Sequence, residues 1–434
     1  MSSTPQQSPS ADAASNSLAP GQNQVIWTIW LTYGAFYFCR TNISVAVAAG
    51  MGQSVEDGGL GLSGDEIGTI LALSKLFYGF GQLVNGQLSE RVSPRVLLAL
   101  GMFGSAGLNL LFGFSTGFYF LLFVWACNGY CQSLGWTPCI RVVGNWIPVH
   151  LRGKAIGIIG TGYQLTAGLT FFVAGQSAEY LGWRGAMYVP AAILTAVGLF
   201  TLLTLRASPD GTSSEAGQQH EGTPPPIARR PFAENLLLTI TNPALWLMGI
   251  SLGLLNACRY GFLDWGIAHL KEVQQTGVGE ASLKYVVLAF GGVAGSYLAG
   301  WATDRFFGSR RAPVVVILLI ALGVLTLFYE SVAGSNASAT FVLLAVIGFC
   351  IFGPQVLLVG TAPADLARRG TAAAAAGFVN FMGYMGAAAG DKVTGHYKMA
   401  EHGGWQVAIY IWAGWAFAAA VFAALLWNAT ARRD

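Results

Sequence analysis

The chain has 434 residues, 54% of them hydrophobic and only 10% charged, with a net charge of +3 and a mean hydropathy of +0.54. Soluble domains carry about 25% charged residues, so this composition leaves a soluble fold too little polar surface. A small positive charge without basic patches also argues against a nucleic-acid partner.

Residues 1–23 are rich in Ser, Ala, Gln and Pro and lack Lys and Arg, which predicts a disordered N-terminal segment. No basic n-region or small-residue cleavage site precedes the first apolar run, so that run is expected to remain as a helix. Twelve spans follow, each near the roughly 20 residues that cross a bilayer as a helix. They are 24–50, 64–88, 95–114, 118–145, 153–175, 182–205, 243–272, 281–305, 312–331, 339–362, 371–397 and 404–428. The expected fold is an all-α membrane protein with twelve transmembrane helices in two pseudo-symmetric six-helix bundles, 24–205 and 243–428. Residues 206–242 between them are rich in Pro, Gly and Ser and read as a cytoplasmic linker. Residues 429–434 are left as a short cytoplasmic tail.

Orientation follows from the basic residues. Loops after spans two, four, six, eight and ten hold Arg91, Arg95, Arg152, Lys154, Arg305, Arg310, Arg311, Arg368 and Arg369, among others; the opposite side holds only Arg184, Lys271, Lys284 and Lys398. Positive loops stay inside, so both termini are expected in the cytoplasm, and the short loops suit a bacterial inner (plasma) membrane. The six cysteines, Cys39, Cys127, Cys131, Cys139, Cys258 and Cys350, all lie in apolar runs and read as small buried side chains. The histidines are dispersed and there is no P-loop. Neither a metal, a cofactor nor an enzymatic reaction is expected, and the chain is read as a monomer.

An internal repeat marks the two halves. Span two ends in "GQLSERVSPR" and span eight in "GWATDRFFGSRR". Each has a glycine (Gly86, Gly300), an acid four residues on (Glu90, Asp304) and then an arginine (Arg91, Arg305). The glycines are expected to let two helices approach closely, and the charged pairs to serve gating and structure at the cytoplasmic helix ends. The doubled motif resembles the loop signature of the major facilitator superfamily, whose fold places substrate near the midplane between the halves.

Arg40 and Arg259 occupy matching places, each ~24 Å along the first span of its half at 1.5 Å per residue. A charge at a helix centre costs about 2.5–3.5 kcal/mol to insert on translocon scales, and arginine cannot shed its proton. Intramembrane acids are few: Asp264 and Asp391. Asp264 lies about 140° round the helix from Arg259, a poor angle for pairing. Two cations short of partners point to a dianionic ligand, and guanidinium forks match phosphate oxygens. Polar stripes support a cavity: Tyr33, Tyr37 and Arg40 in span one, Asn128, Gln132 and Trp136 in span four, and Asn380, Tyr384 and Asp391 in span eleven. Asn256 lies one turn before Arg259.

The stretches "YGAFYFCRTN" (33–42), "NGYCQSLGWTPCIR" (128–141), "LNACRYGFLDW" (255–265) and "AAGFVNFMGYMG" (375–386) together resemble the organophosphate:phosphate antiporters. That family includes glycerol-3-phosphate, hexose-phosphate and glucose-6-phosphate transporters. The resemblance implies antiport of a phosphate ester against inorganic phosphate across the lipid bilayer. It places the family's phosphate-binding arginines on Arg40 and Arg259, and its helix-one tyrosines on Tyr33 and Tyr37. The helix-four pair falls on Gln132 and Trp136, and the helix-eleven tyrosine on Tyr384. There are departures. Gln82 stands where glycerol-phosphate transporters have a lysine, and Lys75 lies seven residues earlier on a similar face. The helix-five histidine falls near Tyr163 or Gln164, and a span-ten tyrosine is Phe352. A cargo other than glycerol-3-phosphate is therefore expected: a different phosphate ester or a larger organic anion. Two alternatives stay open, a membrane sensor of sugar phosphate and a proton-coupled symporter of another organic anion, the latter needing Asp391 as its titrating acid.

Overall fold

A computed structural model describes residues 18–208, 232–308, 310–368 and 371–429. Most of the expected N-terminal segment, the greater part of the linker and nearly all of the C-terminal tail lie outside these residues. Helices fill each of the twelve predicted intervals, and no strand occurs among the described residues.

The first interval holds α1 (Pro20–Ala35), a 3-10 turn (Phe36–Cys39) and α2 (Asn42–Ala48). Then come α3 (Gly64–Arg91) and α4 (Pro94–Phe114). The fourth interval is split into α5 (Phe118–Gln132) and α6 (Trp136–Trp146), and α7 (Val149–Leu181) and α8 (Gly185–Thr204) complete the half. A short helix, α9 (Phe232–Ile240), sits in the interval read as linker. The seventh interval is α10 (Pro243–Tyr260), a π-helical turn (Gly261–Trp265) and α11 (Gly266–Gln274). It is followed by α12 (Val278–Phe306) and α13 (Arg311–Ser335). The tenth is α14 (Ala337–Val356), a second π-helical turn (Leu357–Thr361) and α15 (Ala362–Leu366), before α16 (Ala372–Tyr397) and α17 (Gly404–Ala424).

Local chemistry sets these boundaries. Proline opens α4 and α10, where its missing N–H costs nothing. Ser63 caps α3: its hydroxyl accepts from the Glu66 N–H at 3.2 Å, and the Glu66 carboxylate accepts from the Ser63 N–H at 2.8 Å. Among the described residues, eight helices are long and apolar enough to cross a membrane. Intervals one and four fall short because their helices are broken, interval seven because Asn256 and Arg259 dilute α10, and α16 because Asn380, Asp391, Lys392 and its glycines dilute the run.

The two halves repeat the same pairings. In the first, α1 packs on α7, α3 on α5 and α4 on α8; in the second, α10 packs on α16, α12 on α14 and α13 on α17. Between halves, α3 packs on α16 and α7 on α12. That seam is tightest at the end distal to the termini, where backbones touch. A Cβ on Gly64 would stand 2.4 Å from the Gly395 carbonyl oxygen, and one on Gly175 2.5 Å from the Ser282 Cβ. Beside it, Asp65 pairs with Lys392 at 3.0 Å, Gly279 N–H donates to Glu179 at 2.9 Å and Lys271 donates to the Ala48 carbonyl at 3.0 Å. The halves stay in touch as far as the Phe80–Phe381 ring pair and the Gln164–Ser296 hydrogen bond.

Toward the termini the expectation for the repeated glycines fails. A Cβ on Gly86 or Gly300 would meet nothing within 4 Å, because these helix ends stand apart rather than in close approach. Asp304 pairs with Arg311 at 3.1 Å, and Arg311 also reaches Asp365 at 3.3 Å. Arg91 and Arg305 are exposed; Glu90 lies on the last turn of α3. Arg141 donates to the Ser89 and Val92 carbonyls, so it caps the end of α3.

Candidate functional site

Where α1 gives way to the 3-10 turn Phe36–Cys39, backbone carbonyls lose their helical partners. Side-chain amides from α5 replace them: Gln132 Nε2 donates to the Phe36 carbonyl at 3.0 Å, and Asn128 Nδ2 to the Cys39 carbonyl at 3.0 Å. This fixes the Gln132 amide so that its Oε1 faces Arg40 and accepts from Arg40 Nε at 3.0 Å. Arg40 Nη2 also donates at 3.3 Å to the Gln132 carbonyl at the end of α5, which accepts from the Gly135 N–H as well. The guanidinium lies 4.5 Å from each of the Tyr37 and Tyr78 ring centroids. Two structural breaks, one in each helix, therefore position one arginine.

Arg259 is placed by the other half. It is the last residue but one of α10, two positions before the π-helical turn. Only 4% of it is exposed, and its Nε has no hydrogen-bond partner. Its guanidinium faces the Tyr260 ring at 4.8 Å and the Phe352 ring at 5.0 Å. Among the described residues, no carboxylate pairs with Arg40 or Arg259. A buried charge left in this way is costly unless something completes it.

Both arginines line one cavity between the halves, which encloses about 700 Å³ of empty space and is partly open to solvent. Of the predicted site residues, the cavity also gathers Tyr37, Gln132, Tyr384 and Lys75. It does not take in Tyr33, Trp136 or Asn256. Tyr33 and Trp136 pack with tilted rings at 4.9 Å, and Tyr33 meets Tyr37 edge-on at 6.1 Å, so they buttress the wall from behind. Asn256 is buried near Gly383 of α16, with an unpartnered Oδ1. The prediction of substrate-binding residues omitted Tyr78, Tyr260, Tyr163, Gln164, Asp264 and Phe352, which all line the cavity.

Lys75 lines the cavity but already has partners. Its Nζ pairs with Asp264 at 2.5 Å and with Asp391, and it lies 4.3 Å from the Tyr260 ring centroid. Asp391 is completely buried, and its other oxygen accepts from Trp265 Nε1 at 3.2 Å. Lys75 belongs to α3 of the first half; Asp391 belongs to α16 and Asp264 to the π-turn of the second. The triad therefore ties the halves together beside the two arginines.

The family profile of the Major Facilitator Superfamily matches residues 29–390. The glycerol-3-phosphate transporter of Bacillus subtilis (strain 168) is 28% identical over 424 residues, covering 95% of this chain and 93% of the relative. The membrane sensor protein UhpC of Escherichia coli (strain K12) is 29% identical over 381 residues, covering 84% and 83%. A probable hexose phosphate transport protein of Chlamydia trachomatis is 27% identical over 430 residues, covering 94% and 91%. Among solved structures, a bacterial homologue of the human lysosomal transporter Spinster, inward-facing and unoccupied, superposes with a TM-score of 0.72 at 18% identity, covering 95% of this chain and 96% of that one. The sequence relatives include glycerol-3-phosphate and hexose phosphate transporters, the kinds that the four quoted stretches resemble, whereas the solved structure bears on the fold alone.

Proposed function

The chain belongs to the Major Facilitator Superfamily, a family of membrane transporters rather than enzymes, and on that premise we propose that it exchanges an organic phosphate ester for inorganic phosphate. The observation that carries this reading is the pair Arg40 and Arg259. One cation comes from each half, both face one cavity, and neither has a carboxylate partner among the described residues. A phosphate dianion supplies the missing charge and accepts from both guanidinium forks. The names of the glycerol-3-phosphate and hexose phosphate relatives support the same cargo class.

Alternating access follows from the same charges. Empty, the cavity holds two like charges between low-dielectric walls, and their repulsion opposes drawing the halves together. A bound dianion removes that repulsion, so the loaded carrier closes and the empty one resists. A carrier that isomerises only when loaded performs exchange. In this reading the chain crosses the membrane twelve times as a monomer, with both termini in the cytoplasm, and the cavity opens on the side of Gly86 and Gly300. Asp391 is spoken for by Lys75 and Trp265, which weighs against its serving as the titrating acid of a symporter.

The test is counterflow in liposomes. Purified protein reconstituted around inorganic phosphate takes up labelled phosphate against unlabelled phosphate inside, and Arg40→Gln or Arg259→Gln abolishes that uptake. Exchange that persists in either variant defeats the reading. Tight binding without exchange in the unmodified protein favours a sensor, as in the UhpC relative.

A further inference from the structure

We propose that the favoured cargo is zwitterionic: a phosphate ester that also carries an amine a few bonds from the phosphorus, bound by Asp264. The inference rests on the phosphate reading above and adds a second recognition point to it. The triad has two carboxylates for one ammonium, which leaves one negative charge in surplus. The surplus is not shared evenly. Asp391 has both oxygens engaged, one by Lys75 and one by Trp265 Nε1, and it is sealed from the cavity. Asp264 lines the cavity and takes Lys75 on Oδ2 alone; among the described residues its Oδ1 has no hydrogen-bond donor. The free acceptor therefore faces the space where cargo sits.

The spacing is short. Arg259 and Lys75 lie 4.8 and 4.3 Å from the centroid of the same Tyr260 ring. Sharing that ring as a neighbour, the guanidinium and the Lys75 ammonium stand no farther apart than two ring contacts, a gap that an aminoalkyl chain or a single sugar ring spans. Charges then balance at both ends. The phosphate dianion answers the two arginines, and the ammonium answers the surplus on the triad. An ester ending in a hydroxyl neutralises only the first.

The experiment loads proteoliposomes of the full chain with labelled inorganic phosphate and drives its release with one of two external esters. 2-Aminoethyl phosphate and 2-hydroxyethyl phosphate are nearly the same size and differ in ammonium against hydroxyl. The amine is expected to reach half-maximal release at a concentration about 10-fold lower, a factor worth about 1.4 kcal/mol. N-acetylation of the amine, which removes its charge, is expected to erase the advantage. In Asp264→Asn the ratio between the two esters is expected to fall to one, a readout that normalises itself for the amount of folded protein. If the unmodified protein exchanges phosphate but gives a ratio of one, the zwitterion inference is overturned while the phosphate reading stands. That result would mean that the surplus charge is met otherwise, for example by a proton shared between the carboxylates. If phosphate itself is not exchanged, both readings fall.

Discussion

Arg259 shares the Tyr260 ring with Lys75, and Arg40 lines the same cavity, yet the two arginines and the triad of Lys75, Asp264 and Asp391 are provided for in different ways. Both arginines have aromatic faces, and Arg40 also an amide and one backbone carbonyl, but neither has an anion. The triad has more anion than cation and is closed by Trp265. In a medium of low dielectric a complete ionic group holds structure together, while an incomplete one holds a place for something else. Charged residues at similar depth thus divide into Lys75 and Asp391, whose partners belong to the chain, and Arg40, Arg259 and the second oxygen of Asp264, whose partners do not.

This contrast predicts opposite signatures for substitutions at the two places. The largest effect on stability is expected at the triad. Lys75→Met leaves two buried carboxylates facing each other, and breaking a buried ionic group costs about 3–5 kcal/mol. Thermal unfolding in detergent should show the loss, and the combination of Lys75→Met with Asp264→Asn and Asp391→Asn should recover much of it. A Lys75→Met protein as stable as the parent would dissolve the distinction.

The arginines should behave in reverse. Arg259→Gln is expected to weaken phosphate binding by about 2–5 kcal/mol, the usual cost of truncating a buried charged partner. The thermal midpoint of the empty protein should be unchanged or higher, because an unpaired buried charge is gone. Calorimetric titration of phosphate, read beside the melting curve, checks both halves of that statement.

Smaller effects sharpen the picture around Arg40. Gln132→Leu removes the acceptor for Arg40 Nε and the donor to the Phe36 carbonyl. Leaving such groups unsatisfied costs about 1–3 kcal/mol, and here the loss should fall on binding and stability together, since Gln132 serves both the break and the site. Smallest is Tyr78→Leu, which removes one of the two rings beside Arg40. About 0.5–2 kcal/mol of cation–π attraction is at stake, and Tyr78→Phe should restore most of it in the same titration.

Much of this was legible in the sequence because it depends on composition and on one-dimensional pattern. Apolar length marked the helical intervals, and the rarity of charge inside them singled out Arg40 and Arg259 and the acids near them. Pairing was not legible. Lys75 meets Asp264 and Asp391 across 189 and 316 residues of chain, a distance over which no local pattern operates. The stripes misled where helices break. Reading Tyr33, Tyr37 and Arg40 as one face assumes 3.6 residues per turn throughout, but the 3-10 turn Phe36–Cys39 has about 3.0. Tyr33 is thereby carried behind the wall that Tyr37 and Arg40 form. Trp136 falls on the far side of the break that follows Gln132, so its four-residue spacing no longer places it beside that glutamine. Tyr384 lies on the unbroken α16 and lines the cavity, whereas Asn380 and Asp391 of the same stripe do not.

The backbone contact between Gly64 and Gly395 has a consequence for how the populations of the two access states can be set from outside the cavity. No side chain fits there while the distal ends touch, since a Cβ on either residue would come within 2.4 Å of the other's carbonyl oxygen. A branched residue at Gly64 would therefore act as a wedge, penalising only the conformer in which this seam is shut. Because a perturbation that discriminates between two conformers moves their ratio by the full difference in its cost, one methyl-bearing residue far from any cargo could invert the resting equilibrium and leave the ligand contacts as they were.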